Sequence, residues 1–234
     1  MSAINKQAWL YLKCLITLCT ALCFNEAHAE TEEDGRFWLN SNAQGALPAE
    51  HFNWYAELQP RWRDEGKHLD TVLIRPAVFY KFSPQSSVWL GYAKVINHPA
   101  GKQTRDEHRI WQQYLYQFSA FDTLNFQTRT RLEERRLEDS GDEGYRIRQM
   151  LRVSKPLLSQ SAISLVAWDE LFIHLNDTDW GAEKGFDQNR LFVGAAYTVN
   201  PQFKVEVGYL NQYIHTDKTD RENHTLATTL LLNF

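Results

Sequence analysis

The chain has 234 residues, with 25 Lys and Arg against 29 Asp and Glu, for a formal net charge of −4. A mildly acidic balance excludes nucleic acid as a partner. The mean hydropathy of −0.50 suits a soluble protein, but membrane barrels escape that index because half of every strand is polar.

Residues 1–29 read as a secretory signal. Lys6 supplies the positive start, Trp9 to Phe24 is an apolar run interrupted by Lys13, and Ala27-His28-Ala29 is a small-x-small cleavage site that leaves Glu30 as the mature N-terminus. The run is shorter than the roughly 20 apolar residues of a membrane-spanning helix. Cys14, Cys19 and Cys23 all lie inside it. Leu22 before Cys23 does not suit lipidation, and the mature chain has no cysteine and hence no disulfide. Residues 30–234 suffice for one barrel or sandwich domain.

From there the chain reads as strand after strand. Phe37 to Ala43 is a short first strand or arm. Phe52 to Arg63 alternates Phe52, Trp54, Ala56, Leu58 and Trp62 against Asn53, Tyr55, Glu57, Gln59, Arg61 and Arg63. Such period-two patterning belongs to strands, whose successive side chains leave opposite faces. Leu69 to Phe82 sets Val72, Ile74, Val78, Tyr80 and Phe82 against Thr71, Arg75 and Lys81. Val88 to Asn97 and Glu107 to Phe118 follow.

Leu124 to Val153 is a hairpin around a polar turn containing Gly141 and Gly144. Leu124, Phe126, Thr128, Thr130 and Leu132 share one face with Tyr145, Ile147, Leu151 and Val153, and Arg129, Arg131, Glu133, Arg135, Arg146, Arg148 and Arg152 share the other. Arginines in register cannot sit unpaired in a dry soluble core. Either the Arg face meets water around a sandwich, or the apolar face meets lipid and the Arg face lines a lumen.

Ala162 to Leu175, Asp187 to Val199, Phe203 to Ile214 and Thr225 to Phe234 complete about ten long strands. In the first of these, Glu170 is expected to face inward with Trp168, leaving Asp169 toward lipid or at a bulge. Short connections (Ser83 to Ser86, Ser119 to Asp122, Pro156 to Ser161, Asn200 to Gln202) alternate with longer polar loops (His98 to Asp106, Glu138 to Glu143, Asn176 to Gly185, His215 to Glu222). That is the pattern of an outer-membrane barrel with its short ends in the periplasm. Tyr80, Phe82, Trp89, Tyr116, Phe118, Phe126, Tyr197, Phe203 and Phe234 gather at the short ends as an interfacial ring, with Trp62, Tyr145 and Tyr209 for the opposite ring. His224, Leu226, Thr228, Leu230, Leu232 and Phe234 share a face. A terminal aromatic on such a strand looks like an assembly signal for the outer-membrane machinery.

Glu107 to Tyr114 (E-H-R-I-W-Q-Q-Y), Arg129 to Arg135 (R-T-R-L-E-E-R), Trp168 to Phe172 (W-D-E-L-F), Gly185 to Gly194 (G-F-D-Q-N-R-L-F-V-G) and Val207 to Tyr213 (V-G-Y-L-N-Q-Y) resemble bacterial envelope proteins grouped as the domain of unknown function family 2490. The resemblance covers essentially the whole mature chain. It implies an exported β-barrel and brings no agreed activity, so no catalytic residue is carried over.

The expectation is therefore an all-β, closed, antiparallel, up-and-down transmembrane barrel of about ten strands in the outer membrane of a Gram-negative bacterium. Its N-terminus and Phe234 are expected in the periplasm, with lipid and lipopolysaccharide around it. The inward face is expected to hold Glu57, Arg61, Arg75, Glu107, Arg109, Arg129, Arg131, Glu133, Arg135, Arg146, Arg148, Arg152, Glu170, Arg190, Lys204 and Glu206. Such a lining makes either a salt-bridged plug or a narrow channel favouring small anions. An outer-membrane lipid-modifying enzyme is the competing class, but the sequence has no G-x-S-x-G and sets no Ser beside His174 and Glu170. A soluble periplasmic barrel with an apolar interior is the third. No cofactor or metal site is predicted, since Gln188 stands where the calcium-like fragment Asp177-Thr178-Asp179-Trp180-Gly181 would need its closing Glu.

Overall fold

The computed structural model describes residues 31–101, 103–121, 123–158 and 161–234. The signal segment 1–29 and its three cysteines lie outside the described residues. Period-two patterning becomes eleven strands: β1 (Thr31–Ala46), β2 (Phe52–Arg63), β3 (His68–Lys81), β4 (Ser86–Asn97), β5 (Arg105–Ala120), β6 (Leu124–Leu137), β7 (Glu143–Pro156), β8 (Ile163–His174), β9 (Gly185–Asn200), β10 (Phe203–Ile214) and β11 (Asp220–Asn233). Each pairs antiparallel with the next, and β1 meets β11 to close the barrel.

Closure corrects two expectations. The first segment is a full strand of 16 residues, not a short arm. Eleven is odd, so after ten antiparallel steps β1 and β11 run the same way and their seam is parallel. At one end Gln44 Nε2 donates to Asn233 Oδ1 (2.7 Å) and Phe234 N donates to Gln44 O (2.9 Å). At the other, His224 Nε2 lies 3.8 Å from a Glu33 carboxylate oxygen. The barrel's N-terminus therefore sits at the opposite end from Phe234. The connections 47–51, 82–85, 121–123, 157–162 and 201–202 form Phe234's end, and 64–67, 98–104, 138–142, 175–184 and 215–219 form the other.

The pleat sorts the side chains as the alternation requires. Leu58, Ile74, Val78, Leu90, Ile110, Leu132, Leu165, Leu191, Val193, Val207 and Leu226 stand exposed on the outside, while Arg75, Arg131, Arg146 and Arg148 are buried inside. The inverted arrangement, apolar within and charged without, is not the one adopted. Of the short-end aromatics, Tyr116, Tyr197 and Phe234 are exposed outside, and Phe118 stacks on Phe126 (5.0 Å). Trp89 departs from the ring. It follows Ser87 and precedes Gly91 on the inward face, stacking on Phe79 (3.9 Å) with its Nε1 donating to Ser87 (2.9 Å). Asp169 faces outward as a paired group, accepting from Asn189 (2.9 Å).

Two inward-facing glycine positions permit close packing. A Cβ on Gly91 would stand 2.2 Å from the Trp111 ring, and one on Gly194 would stand 2.7 Å from the Phe192 ring. Large rings laid flat against the inner wall need a bare backbone opposite them.

Candidate functional site: the barrel lumen

The sheet register sets arginines side by side: Arg109 lies across from Arg135, and Arg131 from Arg148. Like charges directly opposite are unfavourable, and here carboxylates are threaded between them. Glu107 accepts from Arg109 Nε (2.7 Å) and Arg135 Nε (2.6 Å). Glu133, with no exposed surface, accepts from Arg146 Nη2 (2.6 Å) and Arg148 Nη1 (2.7 Å), with Arg131 at 3.8 Å. Glu170 accepts from Arg148 Nε (2.9 Å) and Arg129 Nη2 (2.6 Å). Glu57 accepts from Arg75 Nη1 (2.5 Å) and from the Tyr55 hydroxyl (2.8 Å). Forked guanidiniums suit such shared carboxylates, because each offers five donors in one plane.

Two rings with no exposed surface complete the filling. Trp111 lies between Arg131 (4.1 Å) and Arg75 (6.0 Å), and Phe172 receives Arg148 (4.4 Å), Arg190 (4.6 Å) and Arg146 (5.1 Å). Desolvated cation–π contacts of this kind contribute up to about 2 kcal/mol each. Leu73, Ala93, Val95, Asn223 and Thr225 are buried around them. The half of the lumen nearer the long loops is thus solid. Trp180, from 175–184, lies over Arg135 (4.9 Å) at its mouth.

Toward the short turns the lumen is hollow. A cavity of about 1080 Å³ opens there, walled by Asn40, Asn42, Gln44, Gln59, Gln117 and Gln127, with Glu57, Arg61, Arg75, Arg129, Arg148 and Glu170 among the residues that line it. Arg152 makes a two-fold ion pair with Glu206 (3.0 and 2.5 Å), and Lys204 lines the same wall. Arg61 gives Nε and Nη2 to Gln59 Oε1 (3.2 and 2.6 Å) and stacks on Trp38 (3.9 Å). Arg190 packs on Trp38 from 5.0 Å. Of the residues expected to face inward, Arg109, Arg131, Glu133, Arg135 and Arg146 belong to the solid half. Glu107 belongs there with them, and the others line the cavity.

Four lumen residues were missed. Trp38, Trp111 and Phe172 face inward because they alternate with outward neighbours, a pattern blurred by their own hydrophobicity. Asp187 was hidden by a β-bulge. Gln188 pairs with Phe172 but Phe186 pairs with Ile173, so Asp187 is an extra residue turned inward. There it accepts from Arg146 (2.7 Å) and faces His174 at 3.4 Å.

The outer loops are tied together by carboxylates. Asp179 accepts from Ser140 Oγ (2.6 Å) and Gly141 N (3.0 Å), which hold its carboxyl below the usual range. Asp177 accepts from Lys184 N (2.7 Å), so the calcium-like fragment spends its oxygens on loop backbone and hydroxyl donors. The Asp217 carboxyl raises Glu183 by hydrogen bonding to it. Among the described residues, Glu33, Glu222 and His224 are the group whose ligand atoms lie within 4.8 Å of one another, at the rim of the parallel seam. His174 is buried beside Arg135 and Asp187, and His224 shares a 2.6 Å hydrogen bond with the Tyr209 hydroxyl. Among the described residues, neither His is hydrogen-bonded to a Ser or Thr hydroxyl.

Residues 35–223 match the family described as a protein of unknown function, DUF2490. The chain belongs to that family. It is 35% identical over 222 residues to an uncharacterized protein of Methylorubrum extorquens, covering 94% of this chain and 96% of that one. No solved structure matches it significantly.

Proposed function

We propose that this DUF2490 protein is an outer-membrane barrel of the Gram-negative envelope. On this reading its lumen is a blind pocket facing the periplasm and is closed to through-flow. The carrying observation is the pairing of an apolar exterior with a charged interior whose outer half has almost no accessible surface. Exposed apolar side chains stand on every strand from β2 to β11, a wider spread than the few hundred Å² patch usual on soluble monomers. Strands of 12–16 residues are long enough to cross, since about 9–11 suffice for a tilted membrane strand. Phe234, exposed and stacked on Trp54 (6.0 Å), is the handle offered to the assembly machinery, and lipid and lipopolysaccharide are the surroundings of the wall.

Between plug and anion channel, the packing favours the plug. A conducting path needs lumen atoms that water can reach, and Glu133, Trp111 and Phe172 have none. The long loops then face outward, and the chain enters β1 from the outer rim, an unusual arrangement for a bacterial barrel, which normally has an even strand number.

The mature chain has no cysteine, so single cysteines report orientation. A membrane-impermeant maleimide is expected to label Lys218→Cys on whole cells, and Gln85→Cys only after permeabilisation. Purified folded protein is expected to leave planar bilayers closed. Equal labelling of both positions on intact cells, or steady anion-selective conductance, overturns the reading.

A further inference from the structure

We infer that the blind pocket binds a small hydrophilic oxyanion, a phosphate- or carboxylate-bearing solute, between Arg61 and Arg190. This deepens the blind-pocket reading and rests on it. Seven cations line the cavity (Arg61, Arg75, Arg129, Arg148, Arg152, Arg190 and Lys204) against three carboxylates (Glu57, Glu170 and Glu206). All three carboxylates are already engaged, by Arg75, by Arg129 with Arg148, and by Arg152. Arg61, Arg190 and Lys204 form no ion pair or hydrogen bond with a carboxylate among the described residues.

Arg190 is the decisive group. It is 9% exposed, lines the cavity, has no hydrogen-bond acceptor among the described residues, and packs on the ring faces of Trp38 and Phe172, while Glu170, across from it in the β8–β9 ladder, is hydrogen-bonded to Arg129 and Arg148 instead. Buried charges are ordinarily paired or hydrogen-bonded, because an unmatched one costs several kcal/mol. Trp38 contacts both guanidiniums, Arg61 at 3.9 Å and Arg190 at 5.0 Å, and both line the pocket. Two planar donor forks fit the oxygens of a phosphate or carboxylate. The amides of Asn40, Asn42, Gln44, Gln117 and Gln127 line the same cavity. They suit hydroxyl groups rather than an acyl chain, and the volume is that of a small-molecule site.

Glucose 6-phosphate, inorganic phosphate and glucose are the probes, titrated calorimetrically into purified folded wild-type barrel. Saturable one-to-one binding of glucose 6-phosphate, weaker binding of phosphate, and none of glucose are expected. Arg190→Gln and Arg61→Gln are expected to weaken glucose 6-phosphate at least tenfold, and Arg190→Lys, which keeps the charge but loses the fork, by less. Lys204→Gln, at the wetter wall, serves if either arginine variant fails to show the wild-type heat-modifiable gel shift. Repeating the titration with phosphatidylglycerol in the micelle distinguishes sources of the same chemistry. Unchanged affinity assigns a soluble ligand, and competition assigns a lipid headgroup, and both keep the site. Absence of binding by either anion at millimolar concentration, or wild-type affinity in folded Arg190→Gln and Lys204→Gln, overturns the inference. A barrel that conducts yet binds glucose 6-phosphate through Arg190 overturns only the blind-pocket reading.

Discussion

The two halves of the lumen are made from the same strands with the same alternation, yet one is solid and the other hollow. The difference lies in what alternates with arginine. In the solid half Glu107, Glu133 and Asp187 arrive with Trp111 and Phe172, so every guanidinium finds a carboxylate or a ring. In the hollow half the arginines alternate mainly with Asn, Gln, Ser and Lys, and the three carboxylates Glu57, Glu170 and Glu206 are all committed. An ion pair excluded from water demands completeness, because each unmatched member is costly. A pair with a member open to the cavity, as Arg152 is, tolerates imbalance. The solid half therefore belongs to stability and the hollow half to binding, and substitutions should separate them.

Glu133→Gln should break the comparison most severely. It leaves Arg146 and Arg148 each short of a charged partner inside a dry network, at an expected cost of about 3–5 kcal/mol. Urea unfolding of detergent-refolded protein, followed by tryptophan fluorescence, measures it. A loss below about 1 kcal/mol, the range of exposed pairs, would mean that water reaches this half after all.

Gly91→Ala tests the same half through packing. The new methyl would meet the Trp111 ring at 2.2 Å and the Ala77 Cβ at 2.9 Å. Overpacking of this kind costs about 1–3 kcal/mol, seen as a lowered urea midpoint with little change in slope. Neutrality would show that Trp111 has room to tilt, and the plug would be looser than its burial implies.

Much of this division was hidden in the sequence for definite physical reasons. The outward and inward faces were readable strand by strand, because period two is a local property. Which level of the lumen a residue occupies depends on stagger summed around the barrel, so the pairing of Arg152 with Glu206, 54 positions away, could not be read. β1 was under-read because its outward positions include Ser41, Ala43 and Gly45, which carry almost no hydrophobic signal. With β1 read only as a possible short strand, strand parity stayed open and the N-terminus was placed at the wrong end. Asp187 was lost to its bulge, since one extra residue moves a side chain to the other face.

Glu206→Gln is the hollow-half counterpart of Glu133→Gln. Arg152, the partner left behind, has 23% of its side chain exposed and can be hydrated from the cavity. The expected loss is under about 1 kcal/mol, the range of solvent-exposed pairs. A loss rivalling that of Glu133→Gln would erase the distinction between the halves.

The smallest effect lies outside the lumen, in the lock between the loops 138–142 and 175–184. The Ser140 hydroxyl and the Gly141 N–H favour the charged form of Asp179 and lower its pKa. A carboxyl depressed in the folded state lends its stability above the unfolded value, about 3.9, and loses it as pH falls through the folded value. Glu183 has the opposite sign. Its pKa is raised by the Asp217 carboxyl, so its contribution is present in acid and fades as pH rises. At neutral pH the Asp179 lock should therefore be intact while the Glu183–Asp217 contact is weakened by repulsion. Hydrogen exchange of the Gly141 amide, bonded to Asp179 at 3.0 Å, should stay slow from neutral pH down to about pH 4 once corrected for intrinsic rates. Asp179→Asn should speed it across that range without moving the urea midpoint. If that substitution lowers the midpoint instead, the outer loops, Trp180 included, are part of the plug rather than a lid resting on it.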